Sequence, residues 1–266
     1  MARTGLRDGP TWLSGHLRPA IVASILPFLL LGLLELRPGK LPGALAYFAA
    51  AGVWALYVTP RLLGLPHGRT PLADYSRDIR LLPAAPVARN IALGLALAAL
   101  TLGAILVATL LTGRFALDWS TVPGLRWVKG LTRGIWEEVF FRGILLALLT
   151  KIYRLRGAVL WSSAIFAVVH LKTGDLSPAA LVDVLSIFFM GLLFAFVVVR
   201  AGSLLPAIVF HYVHDVFVYL VQNAPGANEG IASTLLFAFL WMALAAGAFL
   251  TVWMTRRWPN AASAGP

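Results

Sequence analysis

The sequence predicts an all-α integral membrane protein of about eight transmembrane helices, and three observations predict it. Of the 266 residues, 59% are hydrophobic and only 12% are charged, where a soluble domain carries about 45–50% and about 25%. The apolar residues gather in runs close to the ~20 residues a helix needs to cross the hydrocarbon core. These runs are rich in Leu, Ala and Gly and lack the short alternating segments of a membrane barrel.

The first apolar run, 20–36, comes after Arg3, Arg7 and Arg18, as in a signal peptide. It is long enough to span, however, and the small-x-small triplet Ala44-Leu45-Ala46 lies well beyond it, so an uncleaved first span is expected, interrupted by Pro27. The second span is 43–60. Residues 61–89 form the longest polar connection, and "PLADYSRDIRLLP" within it mixes apolar and charged residues as a short interfacial helix does. The third span is 90–112, with a connection after it at 113–130 that has Trp119 and Trp127 as interfacial anchors. Spans four to eight are expected at 131–150, 157–172, 181–199, 204–221 and 232–254. The small, polar tail 259–266 is expected to be disordered.

Eight spans put both termini on one side. That side carries fourteen of the 22 Lys and Arg residues and the opposite side seven, with Arg142 inside a span. Basic loops face the cytoplasm, so both termini are expected there. The net charge of +11 is thereby explained by loops that flank spans. Nothing resembles a nucleic-acid recognition motif, and nucleic acid is not an expected partner. The absence of cysteine excludes disulfides and thiol catalysis.

A charge at mid-span costs about 2.5–3.5 kcal/mol on insertion scales and normally faces the bundle interior. Here the ionisable groups fall in three places: Glu137, Glu138 and Arg142 in span four, His170 at the end of span five, and His211, His214 and Asp215 in span seven. Glu138 and Arg142 are four apart and can pair along one helix face. Glu137 is rotated about 100° from Glu138 and points elsewhere. Phe166 and His170 share a face, as do His211 and Asp215. The alternating span directions put all three groups in one layer, on the side of the midplane away from the termini.

The residue types suggest hydrolysis of an amide. A glutamate and a histidine can hold and deprotonate one water. A second histidine with an aspartate beside it can donate to a developing oxyanion. Carboxylate and imidazole also suit zinc, so Glu137, His170 and His211 would be the ligands of a metal-dependent enzyme; no HExxH is present. Glu138 with Arg142 reads equally well as a helix lock, and His214 as a satisfied interior histidine. Singly, each group could also belong to a proton-coupled transporter.

Together, "EEVFFR" (137–142), "FAVVH" (166–170) and "HYVHD" (211–215) resemble the EExxxR, FxxxH and HxxxN/D motifs of the CPBP intramembrane proteases. That family includes the type II CAAX prenyl endopeptidases and the bacteriocin-processing or immunity Abi proteins. The resemblance covers about residues 118–222. It implies a protease core there, preceded by three helices at 1–117 (with the interfacial loop 61–89) and succeeded by a last helix at 223–258.

It also implies Glu137 and His170 as the water-activating pair and His211 and Asp215 as the oxyanion site, with Glu138, Arg142, Phe166 and His214 in support. Asp215 stands where many members have Asn; a carboxylate there more readily orients His211 or assists a metal. A glutamate mechanism without cofactor is preferred, with Zn2+ as the alternative. The family also includes members that act as immunity or binding proteins without proteolysis. The expected substrate is a membrane protein or lipidated peptide, and a composition typical of a GC-rich bacterial genome favours an exported or anchored peptide, similar to that of the myxosortase-type members, over a prenylated tail. The bacterial inner membrane is the expected location.

Overall fold

The computed structural model describes residues 22, 26, 41–64, 69–83, 85–112, 115–117, 124–171 and 177–223. Seven helical elements account for nearly all of them. Helix α1 runs through Leu41–Val53, a π-helical stretch Trp54–Val58 and Thr59–Leu62. Then come α2 (Arg69–Asp78) and α3 (Val87–Thr112). Helix α4 joins Gly124–Glu137, a π-helical stretch Glu138–Leu145 and Leu146–Leu149. The last three are α5 (Leu155–Val169), α6 (Pro178–Ala201) and α7 (Leu205–Leu220).

The expected interior spans are all helical, with moved ends. Span four begins seven residues early: 124–130, read from sequence as connection, is an amphipathic extension of the helix. Span five stops at Val169, and His170 is its C-terminal cap residue. The interfacial helix stops at Asp78, where the chain turns through Arg80 at φ 59°. The helical picture has one exception: β1 (Phe115–Leu117) pairs antiparallel with β2 (Val221–Asn223), Ala116 opposite Gln222. The first and eighth expected spans, and Trp119, lie outside the described residues.

Among the described residues, one helix is long and apolar enough to cross a membrane on its own: Ala180–Ala201 within α6, at mean hydropathy 2.6. Two of the others fall short for visible reasons. Helix α5 has 15 residues, about 22 Å at 1.5 Å per residue, and α4 carries Glu137, Glu138 and Arg142. The ends of α6 are sealed locally. Ser177 accepts a hydrogen bond from the Ala180 amide at 3.2 Å, Pro178 occupies the first turn, and Gly202 stops the helix at φ 63°.

The packing depends on small residues where backbones approach, as in helix bundles that lack a strong aqueous driving force. Helix α7 lies between α3 and α4. A Cβ on Gly94 of α3 would come within 2.6 Å of the Pro206 carbonyl oxygen and 2.8 Å of the Val209 Cβ. A Cβ on Gly134 of α4 would lie 3.3 Å from the Tyr212 amide nitrogen. Helix α1 packs on α4 through Phe48 and Trp136, ring centroids 5.1 Å apart. Helix α2 is tied in by the buried Tyr75 hydroxyl, which donates to the Ala55 carbonyl at 2.9 Å, inside the π-helical stretch of α1. The Leu204 amide donates to the Arg80 carbonyl at 3.0 Å, joining that turn to the α6–α7 corner.

Gly94→Ala tests this seam. The added methyl has no room, so the variant is expected to lose about 1–3 kcal/mol by overpacking, read as a lower unfolding temperature in detergent. An alanine at Gly103, where nothing lies within 4 Å, is the control and should leave it unchanged.

Candidate active site

Helix α4 contributes two adjacent carboxylates, and the change of helical pitch falls between them. Glu137 ends the α-helical part and Glu138 opens the π-helical part. Such widened turns recur at functional sites. Every residue from Glu138 to Leu145 is buried, so the second carboxylate needs partners inside the protein.

It has two. Glu138 Oε1 accepts from Arg142 Nη1 at 3.2 Å and stands 2.9 Å from His211 Nδ1. The Glu138–Arg142 pairing expected from the i,i+4 spacing is present, with both side chains wholly buried, and it extends to α7. The reading of this pair as a helix lock alone is therefore too narrow. A guanidinium buried in apolar surroundings also needs its faces covered. Arg142 lies 3.9 Å over the Phe166 ring of α5 and 5.3 Å from the Phe194 ring of α6.

Glu137 points into the space between α5 and α7. Its Oε2 is 3.4 Å from His170 Nε2 and 3.8 Å from His211 Nε2. That oxygen is buried and makes no direct hydrogen bond. The tautomers follow from the other ring nitrogens. His170 Nδ1 lies 2.7 Å from the Phe166 carbonyl oxygen, which can only accept, so Nδ1 carries the proton. His211 Nδ1 faces the Glu138 carboxylate and is likewise the donor. The Nε2 atoms of both rings therefore face Glu137. The 3.4 Å separation of Glu137 and His170 matches that of two atoms bridged by one water at about 2.8 Å from each.

Asp215, one turn beyond His211 on α7, places Oδ1 3.6 Å from His211 Nε2 and 3.6 Å from His214 Nδ1. The structure thus brings Glu137, His170, His211 and Asp215 together. His214 sits beside Asp215 and not against Glu137. Glu137, His170 and His211, the ligands expected of a metal-dependent enzyme, are among the residues brought together, with Glu137 Oε2 3.4 and 3.8 Å from the two Nε2 atoms.

The family model of type II CAAX prenyl endopeptidases, Rce1-like, matches residues 119–217. By that match, residues 119–217 belong to the Rce1-like family. The segment contains all three groups of ionisable residues, and the family is one of membrane-embedded peptidases. No curated protein and no solved structure matches the chain. The Rce1-like domain includes two neighbours of the site that sequence reasoning missed. Phe194 stacks on His211 at 5.1 Å and 30°, yet it is one of several phenylalanines in an apolar helix and periodicity could not select it. Gly191 was equally silent: a Cβ there would meet Ser163 at 3.1 Å and Arg142 Nη2 at 3.3 Å.

The buried pair gives a stability prediction. Arg142→Met strands the Glu138 charge and is expected to cost about 3–5 kcal/mol, measured by unfolding in detergent. Adding Glu138→Gln should recover much of that loss, because no charge is then left unpaired.

Proposed function

We propose that this protein is an intramembrane endopeptidase that cuts a membrane-embedded or membrane-anchored peptide with a water activated by Glu137 and His170. The observation that carries the reading is the meeting of Glu137 Oε2 with His170 Nε2 at 3.4 Å and His211 Nε2 at 3.8 Å, contributed by three helices. Glu137 takes a proton from the water, and the hydroxide attacks the peptide carbonyl. The developing oxyanion meets His211. Because Nδ1–H is given to Glu138, this role requires the imidazolium form, with the second proton on Nε2. Asp215, 3.6 Å away, balances that charge and orients the ring. Collapse breaks the C–N bond, and the proton held by Glu137 goes to the leaving amine.

Glu138, Arg142, Phe166 and Phe194 hold His211 and His170 in place. We assign no metal or other cofactor a role, since Glu137 and His170 already supply a base and a positioning group. The flanking helices fit an eight-span arrangement in a bacterial inner membrane with both termini cytoplasmic, supported by the fourteen-to-seven distribution of basic residues. An exported or membrane-anchored peptide is the substrate this orientation favours.

Glu137→Gln keeps shape and removes the base; a loss of about 10²–10⁴-fold in cleavage is expected, scored on a membrane-anchored reporter peptide in liposomes. Undiminished cleavage would overturn the assignment. In the same assay 1,10-phenanthroline should leave the rate unchanged, and loss restored by added zinc would show a metal enzyme.

A further inference from the structure

Four helix ends meet on one side of the candidate site. Helix α4 runs antiparallel to α7: a Cβ on Gly134 would lie 3.3 Å from the Tyr212 amide nitrogen, and one on Gly130 would lie 3.7 Å from the Asp215 and Val216 side chains. The start of α4 is therefore level with the end of α7. Gly94, early in α3, meets Pro206 and Val209, early in α7, and the strands that follow these two helices pair with each other. Helices α3 and α7 thus run side by side in one direction. His170 caps the C-terminal end of α5 and stands 3.4 Å from Glu137. The site is also less covered toward this end: the His170 side chain is 33% exposed, against 12% for Glu137.

The β1–β2 pair stands at that end. Strand β1 (Phe115–Leu117) follows α3, and β2 continues α7 directly, with Leu220 the last helical residue and Val221 the first of the strand. Val221 is six residues beyond Asp215, about 9 Å along the helix at 1.5 Å per residue. Each strand has three residues, in the register Phe115–Asn223, Ala116–Gln222 and Leu117–Val221, and among the described residues no third strand joins them. Neighbouring residues of a strand aim their N–H and C=O groups at opposite edges. Each strand therefore turns part of its backbone to its partner and the rest outward. A two-stranded pair is marginal by itself, and a third strand is what makes such a sheet stable.

A membrane-held substrate needs such an edge. In hydrocarbon a peptide is helical because its backbone has no partners but its own. The carbonyl to be attacked is then bonded within the helix, and the segment around it must be drawn out before a water at Glu137 can reach it. Every backbone group released in this way is costly unless it finds a new partner. A strand edge supplies partners to an extended chain through main-chain hydrogen bonds. We propose that the outer edge of β2 binds the extended substrate as a third strand beside the cut. Strand β2 is chosen over β1 because it is continuous with the helix that carries His211 and Asp215. This rests on the endopeptidase reading above. An extended chain advances about 3.3 Å per residue, so the edge takes up residues that begin about three from the attacked carbonyl, measured from Asp215.

The test is a scan of N-palmitoylated, fluorescently labelled peptides of one sequence, each with a single backbone amide replaced by an ester, against the full-length protein in phosphatidylcholine liposomes. An ester removes one N–H donor without adding bulk. Pairing with a strand edge predicts alternation on one side of the cut: KM rises by about 2- to 10-fold at sensitive positions, tolerant positions lie between them, and kcat changes little. Easier unwinding of the peptide would act at all positions alike. Gln222→Pro removes an N–H from the strand and puts a ring in it, so it should flatten the pattern. Loss of alternation in the unmodified protein while cleavage continues would overturn the proposal and leave the endopeptidase reading standing, as would full alternation in a folded Gln222→Pro protein. If no peptide is cleaved, the endopeptidase reading fails; the same scan is then read in equilibrium binding, where alternation supports the edge and its absence overturns it.

Discussion

The buried carboxylate of Glu138 is the point on which the site depends. A charge removed from water is costly unless it is paired and hydrogen-bonded, and this one is shared by Arg142 of its own helix and His211 of α7. The pairing fixes three things together. It orients the His211 ring, it fixes which ring nitrogen faces Glu137, and it holds α4 against α7 at one depth. Arg142 in turn needs cover for its faces, and Phe166 and Phe194 bring α5 and α6 into the same cluster. One internal charge thus recruits four helices.

The two glutamates divide the work because their surroundings differ. Glu138 is fully enclosed with both partners at hydrogen-bonding range, whereas Glu137 has its side chain 12% exposed and its Oε2 faces two imidazoles without touching either closely. An acceptor with an unused lone pair beside two histidines is suited to hold a water. An acceptor whose Oε1 is shared by a guanidinium and an imidazole is suited to hold protein. Replacing one by the other would exchange a reactive group for a structural one.

Much of this was legible in the sequence because charge is conspicuous in an apolar chain. Glu137, Glu138, Arg142, His170, His211 and Asp215 stood out by type, and the i,i+4 spacing gave the Glu138–Arg142 pair correctly. The link from Glu138 to His211 was not legible, because 73 residues separate them and no periodicity links different helices. Phe194 and Gly191 were hidden for the opposite reason: they resemble every other residue of their helix. The seven helical residues added at the start of α4 were missed because Arg126 and Lys129 read as loop.

The π-helical stretch in α4 has a mechanical consequence. A wide turn inserted into a narrow-pitched helix changes the angular phase between the segments on its two sides. The outer part of α4, with Arg133 and Glu137, and the inner part, with Glu138 and Arg142, are therefore out of step with a single regular helix. Returning that stretch to ordinary pitch would turn Glu137 about the helix axis, away from His170 and His211, while the Glu138–Arg142–His211 cluster stayed anchored. The helix can then be regarded as a screw with a slipped thread: its lower half is held by the buried cluster, and the slip sets where Glu137 points.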